Sequence, residues 1–223
     1  MTIIKKKHGP IDYFLKGSDP KLLILTGMHG DESEIIHFVS AHLKKHQSTL
    51  PDFLFIPEVS PTAVKQKTRK NAWGRDVNRC FIDHPLDPEA AAVMDILKPY
   101  HFSLCLNIHE DPDLTNDFYL YDSGTMTDGQ LQAYRERIRG LSILPYTGMD
   151  DPADKDLGML VTDGYVKTHA ASHKEDGFSS TWMIMHYVAL RVLVPEVPGK
   201  ALLTRKKALV SELFSLFAHQ PLS

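Results

Sequence analysis

Four short apolar runs constrain the fold of this 223-residue chain more than anything else in it. They are "KLLILTG" at 21–27, "DFLFIPEVS" at 52–60, "FSLCLNIHED" at 102–111 and "ALRVLVPEVPG" at 189–199. Each reads as a strand buried on both faces, because a strand covered by helices on either side has no wet face and so no polar alternation. Helical patterns lie between them. Ile35, Ile36, Val39 and Leu43 recur at helical spacing, and Lys44, Lys45 and His46 follow where the helix dipole favours positive charge. "PEAAAVMDILKPY" carries Pro88 in a first turn and Pro99 near its end, and "TDGQLQAYRERIR" and "TRKKALVSELFSLFAHQ" read as further helices. "FYLYD" at 118–122 reads as a short aromatic strand. Strands alternating with helices predict a single α/β domain over residues 1–223, with a central mixed, mostly parallel sheet flanked by helices.

Charge and composition narrow the partners. A net charge of -3 offers no broad basic field for nucleic acid, which leaves small molecules or peptides as the expected ligands. No stretch approaches the ~18 apolar residues of a membrane span, so neither membrane contact nor export is expected and a cytoplasmic location is. Lys5 to Lys7 read as a solvated run. Cys80 and Cys105 lie in no CxxC spacing and read as reduced thiols.

Open α/β sheets bind ligands beyond the carboxyl ends of their strands. Three such ends carry chemistry here: "GMHGDE" holds His29 and Glu32, "NIHED" holds His109, and "VPEVPG" holds Glu196. His, Glu and His form one of the ligand sets of a catalytic zinc, with a position left open for water. The fourth carboxylate would then be free to act on that water. Taken alone, HxxE fits equally a satisfied histidine beside an acidic helix start. Between the motifs runs "PTAVKQKTRKNAWGRDVNRCFIDHPLDP", a polar stretch without periodicity, and long irregular stretches are disproportionately functional.

With "GMHGDE", "TRKN", "GRDVNRCF", "NIHED" and "VPEVPG" in this order across residues 22–199, the chain resembles the zinc metallocarboxypeptidases of the carboxypeptidase A type. Their relatives are the murein peptide amidases and the succinylglutamate desuccinylase and aspartoacylase group. The resemblance implies one zinc ion held by His29, Glu32 and His109. It implies Asn78 and Arg79 as the grip on a substrate's free carboxylate, a task that suits the planar fork of arginine. It implies Arg69 as the donor to the developing oxyanion, a role typically worth ~3 kcal/mol. Glu196 is then the general base that takes a proton from zinc-bound water and passes it to the leaving amine. Substrates so implied are peptides, muropeptides or N-acyl amino acids. Hydrolysis of the amide bond next to a free C-terminal carboxylate is the first expectation, N-acyl amino acid deacylation the second, and a catalytically silent zinc-containing binding module the third.

The chain departs from the family's pattern in places. "VSPTA" at 59–63 stands where the family often has N-P-D-G. The tyrosine that closes over substrate in the family's peptidases has two candidates, Tyr165 and Tyr187, the latter also reading as a core residue. "GFSSTW" at 177–182 resembles a stretch preceding the catalytic strand in compact members. Glu110, Asp111 or Asp113 could orient a ligand imidazole or form a solvated acidic turn, and Glu58 could reach the same site. His169 and His173 read as loop histidines, and His42 and His46 as part of a charged helix end at the surface.

Overall fold

A computed structural model describes residues 2–150, 158–168 and 177–218. The chain begins with a hairpin, β1 (Ile4–His8) and β2 (Ile11–Lys16), followed by β3 (Leu22–Leu25), α1 (Glu34–His46), β4 (Phe53–Ile56) and α2 (Pro61–Gln66). A single 3-10 turn at Val77–Arg79 precedes α3 (Pro88–Leu97), β5 (Leu104–Asn107), β6 (His109–Asp111) and β7 (Asp117–Asp122). Then come α4 (Asp128–Gly140), β8 (Leu144–Pro145), β9 (Gly148–Met149), β10 (Leu160–Val161), β11 (Tyr165–Lys167), α5 (Ser179–Met185), β12 (Val192–Pro198) and α6 (Leu203–Leu213).

One sheet carries the order β1-β2-β4-β3-β5-β12-β7-β11, and its centre, β4, β3, β5 and β12, is parallel. The hairpin joins β4 antiparallel at one side, and β7 joins β12 antiparallel at the other. The unbroken apolar runs follow from two cores, one on each face. Leu22, Ile24, Phe53, Phe55, Leu104 and Leu106 face one of them, with α1, α4 and α6 packed above. Leu23, Leu25, Leu54, Ile56 and Cys105 face the other, with α3 and α5. Every residue of β3, β4 and β5 is thereby buried, at about 1.5–3 kcal/mol for each large aliphatic or aromatic side chain.

From β3 the chain moves outward to β4, then returns past β3 to β5 on its other side. The carboxyl ends of β3 and β5 therefore flank a topological switch point, where such sheets open a crevice. Expected strand 102–111 is divided: Ile108 N–H still bonds Leu25 C=O at 2.9 Å, after which β6 pairs only with β12. Lys5 to Lys7 are exposed as expected, yet they belong to β1 rather than to a loose run, and Lys5 pairs with Asp12 at 2.7 Å. Cys80 and Cys105 are free thiols. Among the described residues no helix is long and apolar enough to cross a membrane.

Candidate metal centre

The turn after β3 is built on two glycines. Gly27 has φ +62°, and a Cβ on Gly30 would stand 1.8 Å from the Ala63 carbonyl oxygen in α2. Only a residue without a side chain lets this turn pack so closely, with Gly30 N–H donating to Thr68 C=O at 2.9 Å. His29 is thereby driven inward, and it is buried together with Glu32 and His109. His29 Nδ1 lies 2.5 Å from Glu32 Oε1, and His109 Nδ1 lies 2.9 Å from Glu32 Oε2. The ligand atoms of all three residues fall within 4.8 Å of one another. Two imidazole nitrogens thus converge on the two oxygens of one carboxylate. That donor set, nitrogen and oxygen on rigid strand ends, fits a divalent transition metal such as zinc.

Asp76 supplies the surrounding layer, a residue inside the quoted "GRDVNRCF" motif to which sequence reading gave no role. Its Oδ1 sits 3.1 Å from His29 Nε2 and accepts Asn78 N–H at 3.0 Å, while Oδ2 accepts Arg69 Nε at 3.1 Å. One carboxylate therefore fixes the ring of a candidate ligand, the 3-10 turn and the arginine. Carboxylate partners on the remote nitrogen of ligating histidines are the general rule, and that rule was the available signal. His109 Nε2, by contrast, is buried without a partner among the described residues.

Electrostatics match a place meant for a cation. Burial pulls the His29 imidazolium down, but Glu32 and Asp76 outweigh it and raise the pKa from 6.5 to about 9. Burial pushes Glu32 up, yet His29 and His109 hold it well below the ordinary carboxylate range. Glu196 behaves oppositely. Burial, reinforced by Glu32 and Asp111, raises it well above the ordinary value against the opposing pull of Arg69.

A cavity of about 400 Å³ opens over this centre, and His29, Glu32, Arg69, Asn78, Arg79, His109 and Glu196 all line it. The seven residues singled out in the sequence are thus brought to one place. The Arg79 guanidinium stands over the Phe178 ring, 3.8 Å from its centroid, which orients its fork. β12 places Glu196 opposite His109 on one side and opposite Tyr119 on the other.

Several secondary expectations are corrected. Tyr187 is neither core nor cavity: it is 75% exposed at φ +56°, in the turn that ends α5. Tyr165 donates to Asp122 at 2.8 Å, away from the cavity, whose tyrosines are Tyr119, Tyr121 and Tyr146. Alternation along β7 points Tyr119 and Tyr121 to one face. Glu110 orients no imidazole, since it accepts Lys206 Nζ at 2.8 Å and Ile35 N–H at 3.1 Å. Asp111 accepts the Tyr119 hydroxyl at 3.1 Å, and exposed Asp113 pairs with Lys200. Glu58 does not line the cavity. His42 is buried rather than at the surface, its ring stacked 4.5 Å from Phe214. His169 and His173 lie outside the described residues.

No protein-family model matches the sequence, and no curated protein does. Solved structures do share the fold. A candidate metallopeptidase from Shewanella denitrificans OS217 superposes with a TM-score of 0.75 at 23% identity, covering 96% of this chain and 82% of that one. A metallo-carboxypeptidase from Burkholderia cenocepacia gives 0.67 at 18% identity, covering 96% and 63%. A succinylglutamate desuccinylase/aspartoacylase from Rhodobacter sphaeroides gives 0.57 at 16%, covering 92% and 57%. The chain therefore has a carboxypeptidase-like α/β fold, and its structural neighbours are of the kinds that the sequence motifs resemble.

Proposed function

We propose that this chain is a zinc-dependent hydrolase that cleaves the amide bond next to a free C-terminal carboxylate. The observation that carries the reading is the convergence of a His-Glu-His donor set, a carboxylate with a raised pKa and two arginines on one cavity at the switch point of the sheet. A zinc ion held by His29, Glu32 and His109 would supply Lewis-acid activation of water and carbonyl. The remaining work belongs to the chain. Glu196 takes a proton from the attacking water and delivers it to the departing amine. Arg69, steadied by Asp76, donates to the oxyanion as it forms. Asn78 and Arg79 hold the substrate's carboxylate, so that cleavage falls one residue from its end.

The substrate is a peptide or muropeptide, and the catalytic unit is a single domain spanning residues 1–223, acting in the cytoplasm. Mass spectrometry of zinc-loaded and chelator-treated protein tests this against C-terminally free peptides, muropeptides containing diaminopimelate, and N-acyl amino acids. Chelator-sensitive release of a terminal amino acid from either of the first two pools is expected. Turnover of the third alone would select the deacylase reading. Silence in all three, from protein shown to hold one zinc, would leave a binding module or a substrate outside these pools.

A further inference from the structure

Beneath the proposed carboxylate grip lies a chain of three buried polar residues from three different elements. Asn78 belongs to the 3-10 turn, Asn107 ends β5 and Ser179 begins α5. Ser179 N–H and Ser179 Oγ both approach Asn78 Oδ1, at 3.2 and 2.8 Å, and Asn107 Nδ2 approaches Ser179 Oγ at 3.2 Å.

The polarity of this chain follows from one group that cannot reverse. A backbone N–H is only a donor, so the Asn78 atom facing Ser179 must be the carbonyl oxygen. The Ser179 hydroxyl, 2.8 Å from that same oxygen, must then spend its one hydrogen on it. Its lone pairs are left for Asn107, which must offer Nδ2. The Asn78 Nδ2 group is consequently turned away from the chain, on a side chain that lines the cavity beside Arg79.

We propose that Ser179 and Asn107 are positioning residues that lock the Asn78 amide with its N–H groups toward the cavity, so that the site takes a carboxylate and rejects a carboxamide. An unrestrained asparagine could rotate by half a turn and accept the N–H₂ of a carboxamide. A locked one sets a second fixed donor beside the guanidinium, and only a group with two acceptor oxygens satisfies both. The argument deepens the carboxylate-directed reading above and rests on it.

The test compares binding of N-benzoylglycine and its amide to the zinc-loaded full chain by NMR titration. Wild type should favour the acid. Ser179→Ala should reduce the acid-to-amide ratio about threefold, because it removes one of the two donors to Asn78 Oδ1 and leaves the Ser179 N–H in place. Asn107→Ala, which removes the donor to Ser179 Oγ without adding charge to the cavity that Asn107 lines, should act in the same direction and more weakly. The double variant should lose little more than Ser179→Ala alone. A purely structural role would lower the melting temperature and leave the ratio unchanged. Should wild type bind both probes equally, the carboxylate-directed reading itself falls. If wild type prefers the acid and a folded variant, Ser179→Ala or Asn107→Ala, keeps the full preference, the positioning role of that residue is overturned.

Discussion

Glu196 and His109 stand directly opposite each other in parallel register on β12 and β6. Neighbouring strands run about 4.8 Å apart, so the proposed base is held one strand spacing from a proposed ligand by backbone pairing rather than by a loop.

The surroundings of Glu196 have a thermodynamic signature. Glu196 is raised in the folded state by burial and by Glu32, whereas the unfolded chain gives it an ordinary value near 4.5. The native state retains a proton that the unfolded state releases, so metal-free protein loses stability as pH rises above that range. Metal-free Glu196→Gln should accordingly melt higher than wild type at pH 7, with the difference vanishing below pH ~4. Calorimetry across pH checks both halves of this expectation.

Zinc affinity should depend on pH through His29. In the metal-free site its pKa is raised to about 9, and a ligating imidazole must be neutral. Binding should therefore release a proton below pH 9, and apparent affinity should climb with pH up to that point. Titration calorimetry in buffers of different ionisation enthalpy counts the protons. A pH-independent affinity between 7 and 9 would contradict the placement.

Asp76 should govern metal affinity without touching the metal. Replacing it with alanine removes the acceptor on His29 Nε2 and frees Arg69. Losses of this kind typically weaken binding by 10–100-fold, and competition against a chromophoric chelator would read the change.

Stability should rest heavily on Asp122, a carboxylate with no solvent exposure. It accepts Arg191 Nε at 2.8 Å and Nη2 at 2.6 Å, and the Tyr165 hydroxyl at 2.8 Å. Asp122→Ala strands the guanidinium and should cost about 3–5 kcal/mol in denaturant unfolding, with zinc affinity preserved.

The parts of the fold legible in sequence were those fixed by local rules. Runs such as Leu22–Leu25 announce doubly covered strands because no residue in them tolerates water. His29 and Glu32 stood out only through the family resemblance of five motifs in order, since HxxE by itself fits a satisfied histidine beside an acidic helix start equally well. The hairpin of β1 and β2 was missed, since an exposed edge strand such as Ile4–His8 carries no apolar alternation to betray it. Helix α2 was missed because it is six residues long and buries only Ala63. The cavity's tyrosines went unassigned because Tyr119 and Tyr121 sit in an apolar strand, and only the pairing of β7 with β12 turns them toward Glu196. Polarity of the Asn107–Ser179–Asn78 chain spans residues 101 positions apart in sequence, beyond any local rule.

The most direct measurement is turnover by zinc-loaded Glu196→Gln on whichever substrate pool wild type hydrolyses. The variant should hold one zinc per chain and lose about 10²- to 10⁴-fold in kcat, as expected when a general base is removed. Unchanged turnover at full zinc occupancy would contradict the account.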